Sequence, residues 1–395
     1  MIDQLSQDEA QQFIEDHLND HPANLMFQAS RYPHLPMGQV VEQITSKRKA
    51  KYKIPEWFAT RGIIYPPRLS MEQCSSQVTA EYKASLVEGE SMVDLTGGFG
   101  VDSYFLSKSF QKAHYVERYA HLVELANHNF SQLKAAHISL HEAQASTFLE
   151  SIQEPVDLIF LDPARRDTEN KKVVLLADCE PNVVELMPLL RQKARTIMIK
   201  TSPMLDIKKA MADLEGVSSV HVVADRNEVK ELLFVINVSD QGLEPQVHCQ
   251  NFMGNELESF TFDYKQEGEM QAELGVVDQY LYEPNASILK AGAFKSITRD
   301  FSLKKLHNNT HLYTASEAGF SFPGRIFKVL DKVSLNKKQL RKVLPDLKAN
   351  VTVRNYPMTV AQIRKKTGLK EGGELFLIGL TDVKKAQVLL AARVS

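Results

Sequence analysis

Hydrophobic spacing divides the chain into three regions. Over the first 60 residues apolar positions recur at three- and four-residue intervals. They predict helices over 4–18, 24–30 and 37–47, interrupted by Pro22, Pro33 and Pro36. Pro66-Pro67 closes this region, and Ser70 with Gln73 three residues later forms a capping-box pattern that predicts a further helix to about residue 86. From residue 90 short apolar runs alternate with helical spacing. Strands are predicted over 92–96, 113–117, 137–143, 156–162, 196–201, 217–224 and 230–238, and helices over 101–110, 119–134, 179–193 and 205–214. Apolar strands alternating with helices predict a parallel sheet covered on both faces. The last two strands are joined only by residues 225–229, too few for a crossover, so they pair antiparallel.

Beyond residue 240 the pattern is weaker. A strand pair is predicted over 246–264, and a turn followed by a helix (286–294) over 278–296. His307 and His311 are separated by Asn308, Asn309 and Thr310, which predicts a loop rather than a metal site, since no third ligand is near. From 322 onward a strand (324–333), helix (337–344), strand (349–356), helix (359–367) and two strands (374–381, 386–394) predict a small α+β module. The expected division is an N-terminal helical region (1–85), an α/β domain (86–240), a connecting segment (241–320) and the α+β domain (321–395).

Composition alters this picture in two places. The net charge of −2 conceals a C-terminal segment, 325–395, in which 16 Lys/Arg face 5 Asp/Glu. That surplus is either a solvated basic face or a surface for an anionic partner. Lys47-Arg48-Lys49-Ala50-Lys51-Tyr52-Lys53, followed by Trp57 and Phe58, suits either a phosphate backbone with stacked bases or a charged helix face packed by Trp57. No apolar run is long enough to span a bilayer, the N-terminus is polar and acidic, and Cys74, Cys179 and Cys249 lie far apart. A reducing cytoplasm is expected, without a disulfide framework, metal or membrane.

The chemistry concentrates at predicted strand ends. Met92-Val93-Asp94-Leu95-Thr96-Gly97-Gly98-Phe99-Gly100-Val101-Asp102 reads as strand, glycine turn and helix start, a backbone cradle for a nucleotide-like ligand. The next strand ends in Glu117, where an acidic side chain can accept from ribose hydroxyls. A dinucleotide fingerprint would need a third glycine where Ser103 stands. The form Asp-x-Thr-x-Gly-x-Gly instead resembles the first motif of class I S-adenosylmethionine (SAM) methyltransferases. The resemblance implies that Thr96, Gly97, Gly98 and Gly100 wrap the methionine end of SAM, that Asp94 and Asp102 lie near its amino-acid moiety, and that Glu117 binds its ribose. The third strand delivers Gln144-Ala145, where related enzymes often place an Asp toward adenine.

The fourth strand delivers Asp162-Pro163-Ala164-Arg165-Arg166-Asp167, a carboxylate on a stiffened turn. It is similar to the fourth motif of nucleic-acid methyltransferases, with Arg165 in place of the aromatic that stacks on a base. The fifth strand ends in Ile199-Lys200-Thr201-Ser202-Pro203, with no cysteine nucleophile there, and Cys179, at a predicted helix start, has no neighbouring base to activate it. Asp162 is the expected acceptor-orienting carboxylate, with Arg165 and Lys200 holding an anionic or planar substrate. Together with Phe322-Pro-Gly-Arg and Arg354-Asn-Tyr-Pro…Gly372-Gly, these motifs resemble bacterial class I methyltransferases that carry a ferredoxin-like segment and a C-terminal THUMP-like domain. The implied fold is a Rossmann-like seven-stranded α/β sheet with an N-terminal helical region and a small C-terminal α+β domain. The implied cofactor is SAM and the implied substrate RNA (tRNA or rRNA). A protein or small-molecule acceptor, or a non-catalytic RNA-binding protein on this fold, remain as alternatives.

Overall fold

A computed structural model describes residues 2–165, 175–240, 242–319 and 321–394. The chain divides into two compact units, Met1–Ser218 with Leu233–Gly242, and Ser219–Leu232 with Leu243–Ser395. The α/β region forms β1 (Gly89–Asp94), β2 (Phe110–Glu117), β3 (Ile138–Glu142), β4 (Val156–Leu161), the two-residue strands β5 (Ala164–Arg165) and β6 (Cys179–Glu180), β7 (Ala194–Thr201), β8 (Ser219–Asp225) and β9 (Glu228–Asn237). All seven strands expected from the alternation are present. The strand pair expected over 246–264 forms β10 (Gln246–Met253) and β11 (Glu256–Asp263), which extend the same sheet to nine strands in the order β11-β10-β8-β9-β7-β4-β1-β2-β3.

Pairing is parallel from β7 through β4, β1 and β2 to β3. β8 and β9 are joined by Arg226-Asn227 alone, both at positive φ, the backbone of a tight primed hairpin turn. The central strands are buried on both faces: Leu158, Ile159, Phe160 and Leu161 of β4 are all fully covered. That explains why they read as continuous apolar runs rather than as alternation.

The helical region behaves differently from its sequence pattern at one point. The helix expected over 70–86 is two helices, Arg68–Gln73 and Gln77–Ala84, and the capping side chain is Ser76, which accepts from the Thr79 N–H, rather than Ser70. The break turns residues 74–76 toward the sheet. Just upstream, the extended Ile64-Tyr65 segment is clasped by two buried amides. Asn129 accepts from Ile64 N–H at 2.9 Å and donates to Ile64 O at 2.8 Å, while Gln43 does the same to Tyr65 at 2.8 and 2.7 Å. Each amide satisfies a donor and an acceptor that would otherwise be buried unpaired.

Most of the basic run at 47–53 makes contacts within this region. It lies on helix Met37–Lys53, where Lys47 pairs with Glu15 and Arg48 binds the carbonyls of Leu18 and Asp20. Lys49 pairs with Glu72, and Lys53 binds the carbonyls of Met71 and Glu72. Trp57 is fully buried against Phe99 and Tyr104. Packing thus accounts for Lys47, Arg48, Lys49, Lys53 and Trp57, whereas Lys51 and Tyr52 stay exposed, with Lys51 over the Tyr52 ring.

The second unit contains β12 (Tyr280–Pro284), β13 (Lys304–His307), β14 (Thr310–Ala315), β15 (Gly324–Lys332), β16 (Asn350–Arg354), β17 (Leu375–Thr381) and β18 (Ala386–Arg393). They form one sheet, ordered β13-β14-β12-β15-β18-β17-β16. Two expectations are corrected here. The segment around His307 and His311 is a β-hairpin, not a loop, and residues 278–296 hold the strand β12 as well as a helix. Short, half-polar strands without clean alternation hid them. Helices Lys337–Val343 and Val360–Thr367 cover one face over Leu377, Val388 and Leu390, while Ile378, Leu380 and Leu389 pack on the other. No helix among the described residues is long and apolar enough to cross a membrane.

Buried Glu267 organises the start of helix Ser296–Asp300. It accepts from the N–H groups of Phe294, Lys295 and Ser296 at 3.0, 2.8 and 2.7 Å and from Ser296 Oγ at 2.7 Å. Glu267→Gln would turn an amide NH2 onto donors. The expected cost is about 2–3 kcal/mol, read as a lowered urea midpoint; an unchanged midpoint would mean this carboxylate carries no structural weight.

Candidate active site

The carboxyl ends of β1, β2, β3 and β4 converge on a cavity of about 580 Å3. Its wall includes Thr96, Gly98, Glu117, Gln144, Ala145 and Asp162 from the predicted site, together with Gln73 and Cys74 from the helical break. The turn is built from the inside out. Gly97 is forced by packing, because a Cβ there would stand 2.2 Å from the buried Tyr115 ring. Gly98 (φ 54°) faces open space: the nearest atom to a Cβ built on it is the Thr96 carbonyl at 3.7 Å. Gly100 (φ 89°) ends the turn in the left-handed conformation that caps helix Val101–Ser107, and Phe130 closes off its side.

Polar contacts lock three strand ends together. Glu117 accepts from Gly98 N–H and from Tyr119 N–H, each at 3.0 Å. The Thr96 hydroxyl lies 3.2 Å from Asp94 Oδ1 and accepts from the Asp162 N–H at 2.6 Å. Asp94 itself lies beneath the turn, 1 % exposed, accepting from Thr96 N–H and Ser103 Oγ. Burial pushes its carboxyl up to about 7, with nearby Asp102 and Asp162 adding to the rise and the Ser103 and Thr96 hydrogen bonds opposing it. Ser103, the residue that breaks the dinucleotide fingerprint, is thus the partner of this acid.

Asp102 and Lys200 are also below the cavity rather than on its wall. Lys200 Nζ is 3.0 Å from Asp102 Oδ2, 2.7 Å from Asp162 Oδ2 and 3.0 Å from Ser75 Oγ. Lys83, fully buried, adds a second ammonium 3.2 Å from Asp102 Oδ1. Burial alone would raise the Asp102 carboxyl, but Lys200 and Lys83 hold it well below the usual carboxylate range. Of the sequence-expected residues, Asp94, Asp102 and Lys200 therefore form the floor, and Thr96, Gly98, Glu117, Gln144, Ala145 and Asp162 the wall.

Residues missed by the sequence reading are Lys83, Arg118, Tyr119 and Asn182; residues 73–76, which the chain leaves open between reaching the pocket and plain helix packing, supply Gln73 and Cys74 to the wall and Ser75 to the floor. Arg118 stacks over the Tyr119 ring at 4.7 Å, and both line the cavity, as does Asn182, which caps helix Val183–Lys193. Tyr119 was findable as an aromatic two residues after Glu117; Lys83 carries no local signal. Cys179 lies on β6, paired with Arg165 of β5, rather than on the expected helix start. The Arg165 side chain, Arg166 and Asp167 lie outside the described residues. Among the described residues no group of three or more His, Cys, Asp or Glu could hold a metal.

Two family models match the chain: a ferredoxin-like domain over 280–323 and a THUMP domain-like model over 324–393. The crystal structure of a protein from Porphyromonas gingivalis W83, described as a "putative methyltransferase", is 31% identical, with a TM-score of 0.87 and 98% of each chain covered. The chain belongs to that family. It joins a class I methyltransferase fold to a ferredoxin-like segment and a THUMP-like domain. Two smaller solved structures align with part of this methyltransferase-family chain. An rRNA methylase from Streptococcus thermophilus has 13% identity, 40% of this chain, 93% of that one and a TM-score of 0.31. M. capricolum TrmK, in complex with S-adenosylhomocysteine, has 11% identity, 42% of this chain, 71% of that one and a TM-score of 0.33. No curated protein matches.

The raised Asp94 acid gives this family member a testable pH signature. Between about 4 and about 7 the folded chain keeps a proton on Asp94 that the unfolded chain releases, so this group's contribution to stability declines as pH rises through that window. Asp94→Asn removes the titration. The urea midpoint of the variant relative to the parent is expected to improve from pH 5 to pH 8; a constant gap would refute the raised value.

Proposed function

We propose that the chain is a SAM-dependent methyltransferase that modifies RNA, either tRNA or rRNA, in the cytoplasm. One observation carries this reading: the Gly98 N–H and the Glu117 carboxylate, from adjacent strand ends, share a 3.0 Å hydrogen bond on the wall of a cavity that Asp162 also lines. The residues suit the cofactor. Gly98 leaves space where a side chain would intrude, and each Glu117 oxygen, having accepted one N–H, keeps a lone pair for a ribose hydroxyl. Thr96, Gly98, Glu117, Gln144 and Ala145 would hold SAM, with Asp94, Gly97 and Gly100 shaping the turn. When bound, SAM supplies a methyl group on a sulfonium that needs no further activation.

The chain's own part is then orientation and charge. Asp162, 40 % exposed at its side chain, would orient the acceptor or take its proton. Lys200 pairs with Asp162 and Asp102 in the floor, so it would act on the acceptor through Asp162, and Arg165 would meet the substrate next to it. Holding acceptor and methyl donor in line supplies up to ~7–11 kcal/mol in ideal cases. On the cavity wall Glu180 is paired with Arg118 at 3.7 Å, and Glu185 is the carboxylate left to disfavour a phosphate there, so a base would enter while the backbone stays outside. Glu185 equally favours an amine acceptor on a protein or small molecule as the second reading.

For the backbone the THUMP-like segment offers Lys337, Lys338, Arg341, Lys342, Lys365, Lys366 and Lys370, all exposed. THUMP domains accompany RNA-modifying enzymes, which supports RNA over the alternatives.

Labelled methyl transfer from SAM into RNA, protein and small-molecule fractions separates the readings; label confined to RNA, followed by nucleoside analysis, is expected. Glu117→Ala is expected to weaken SAM binding at least about tenfold by calorimetry, the loss of roughly one charge-assisted hydrogen-bonding group. Unchanged SAM affinity would overturn the assignment. Neutralising Lys338, Arg341 and Lys342 to Gln should weaken RNA binding and flatten its salt dependence by up to about three counterions' worth of slope. An unaltered slope would remove this face from the interface.

A further inference from the structure

Four charges form a chain from the floor to the cavity wall: Lys83, Asp102 and Lys200 below, and Asp162 on the wall. Lys83 Nζ lies 3.2 Å from Asp102 Oδ1; Lys200 Nζ lies 3.0 Å from Asp102 Oδ2 and 2.7 Å from Asp162 Oδ2. The Ser75 hydroxyl sits among them. It donates to Asp102 Oδ2 at 2.8 Å and accepts from Lys200 at 3.0 Å and Lys83 at 3.3 Å. Lys83 is 0 % and Ser75 6 % exposed, and both come from the helical region ahead of the sheet. Asp102 opens helix Val101–Ser107, while Lys200 and Asp162 come from the ends of β7 and β4.

We propose that Lys83 and Ser75 are positioning residues for Asp162: the Lys83 ammonium offsets the Asp102 charge and the Ser75 hydroxyl donates to it, so that the Lys200 ammonium is shared with the Asp162 carboxylate. This rests on the methyltransferase reading, in which Asp162 meets the acceptor. The reason is a competition between two carboxylates for one cation. The Asp102 side chain is 11 % exposed and that of Asp162 40 %. An unpaired charge costs more where water cannot reach it. Without Lys83, the Lys200 ammonium is drawn to the deeper carboxylate and away from the one on the cavity wall. Asp162 then loses the neighbouring cation that orients it on the cavity wall. The other titratable groups around the cluster are Asp94 below the turn and Cys74 and Lys53 from the helical region. None of these three takes the place of Lys83 against Asp102 Oδ1.

The test uses the full chain and three variants: Lys83→Met, Ser75→Ala and Lys83→Met/Asp102→Asn. The Asp162 carboxyl resonance is followed at one fixed pH by carbon NMR of aspartate-labelled protein, assigned with Asp162→Asn, and kcat and KM for SAM are measured in parallel. Lys83→Met should move the Asp162 resonance away from its parent position, as its ammonium partner is drawn off, and should lower kcat more than it raises KM for SAM. Ser75→Ala should move the resonance the same way by less, and it is the fallback if Lys83→Met does not fold. The double variant removes a cation and an anion together, leaving Lys200 for Asp162, and should return the resonance toward the parent position.

A merely structural Lys83 predicts lowered stability with the Asp162 resonance unmoved and no recovery in the double variant; that result overturns the proposal. The resonance does not depend on turnover. A moved resonance in a chain that methylates nothing would sink the enzyme reading and leave the positioning intact, whereas catalysis with an unmoved resonance would do the reverse.

Discussion

The hydroxyl of Thr96 is where the site is fastened. It lies between the Asp94 carboxylate at the end of β1 and the backbone N–H of Asp162 just past β4, with β4 hydrogen-bonded directly to β1. That single side chain fixes the glycine turn and the Asp-Pro turn at one separation. Glu117 supplies the matching tie on the other side, from β2 to the Gly98 N–H. Three neighbouring strand ends are thereby held together before any ligand arrives, which is the preorganisation that positioning chemistry needs.

Beneath this surface the charges follow a consistent logic. One acid, Asp94, is surrounded by hydroxyl and backbone donors without a cation, and burial raises it. Another, Asp102, lies between two lysines and is held low. The same type of side chain reaches opposite protonation behaviour within one turn and helix, because only one of them has ammonium partners. The helical region takes part in this arrangement through Ser75 and Lys83 rather than serving only as a cover, and the two short helices on either side of residues 74–76 put them within reach.

Much of this was legible along the chain, and the reasons differ from element to element. The strands of the parallel sheet announce themselves because burial on both faces demands uninterrupted apolar runs such as Val156–Leu161. The glycine turn is visible because Gly98 and Gly100 occupy positive φ, and because Gly97 must clear Tyr115. Glu117 and Asp162 were identifiable from where the strands stop. By contrast β12, β13 and β14 escaped notice, since half-buried strands with lysines and histidines at irregular positions leave no clean period. The break before Ser76 was hidden because Ser70 and Gln73 offer an equally good local capping pattern, and only packing against the sheet chooses between the two.

Local pattern determined the fold class and the glycine turn and pointed to six of the residues that line the cavity, because backbone geometry and two-faced burial are written into consecutive residues. Tertiary structure alone decided which polar residues face the cavity and which form its floor. Asp102 and Lys200 read from the chain as ligand contacts, and in the fold they pair with each other below the cavity, Asp102 also with Lys83 and Lys200 also with Asp162. Their partners are separated by up to 125 positions in sequence, as Lys200 and Ser75 show. A charge's role depends on what neutralises it, and that neighbour is chosen only when distant segments pack.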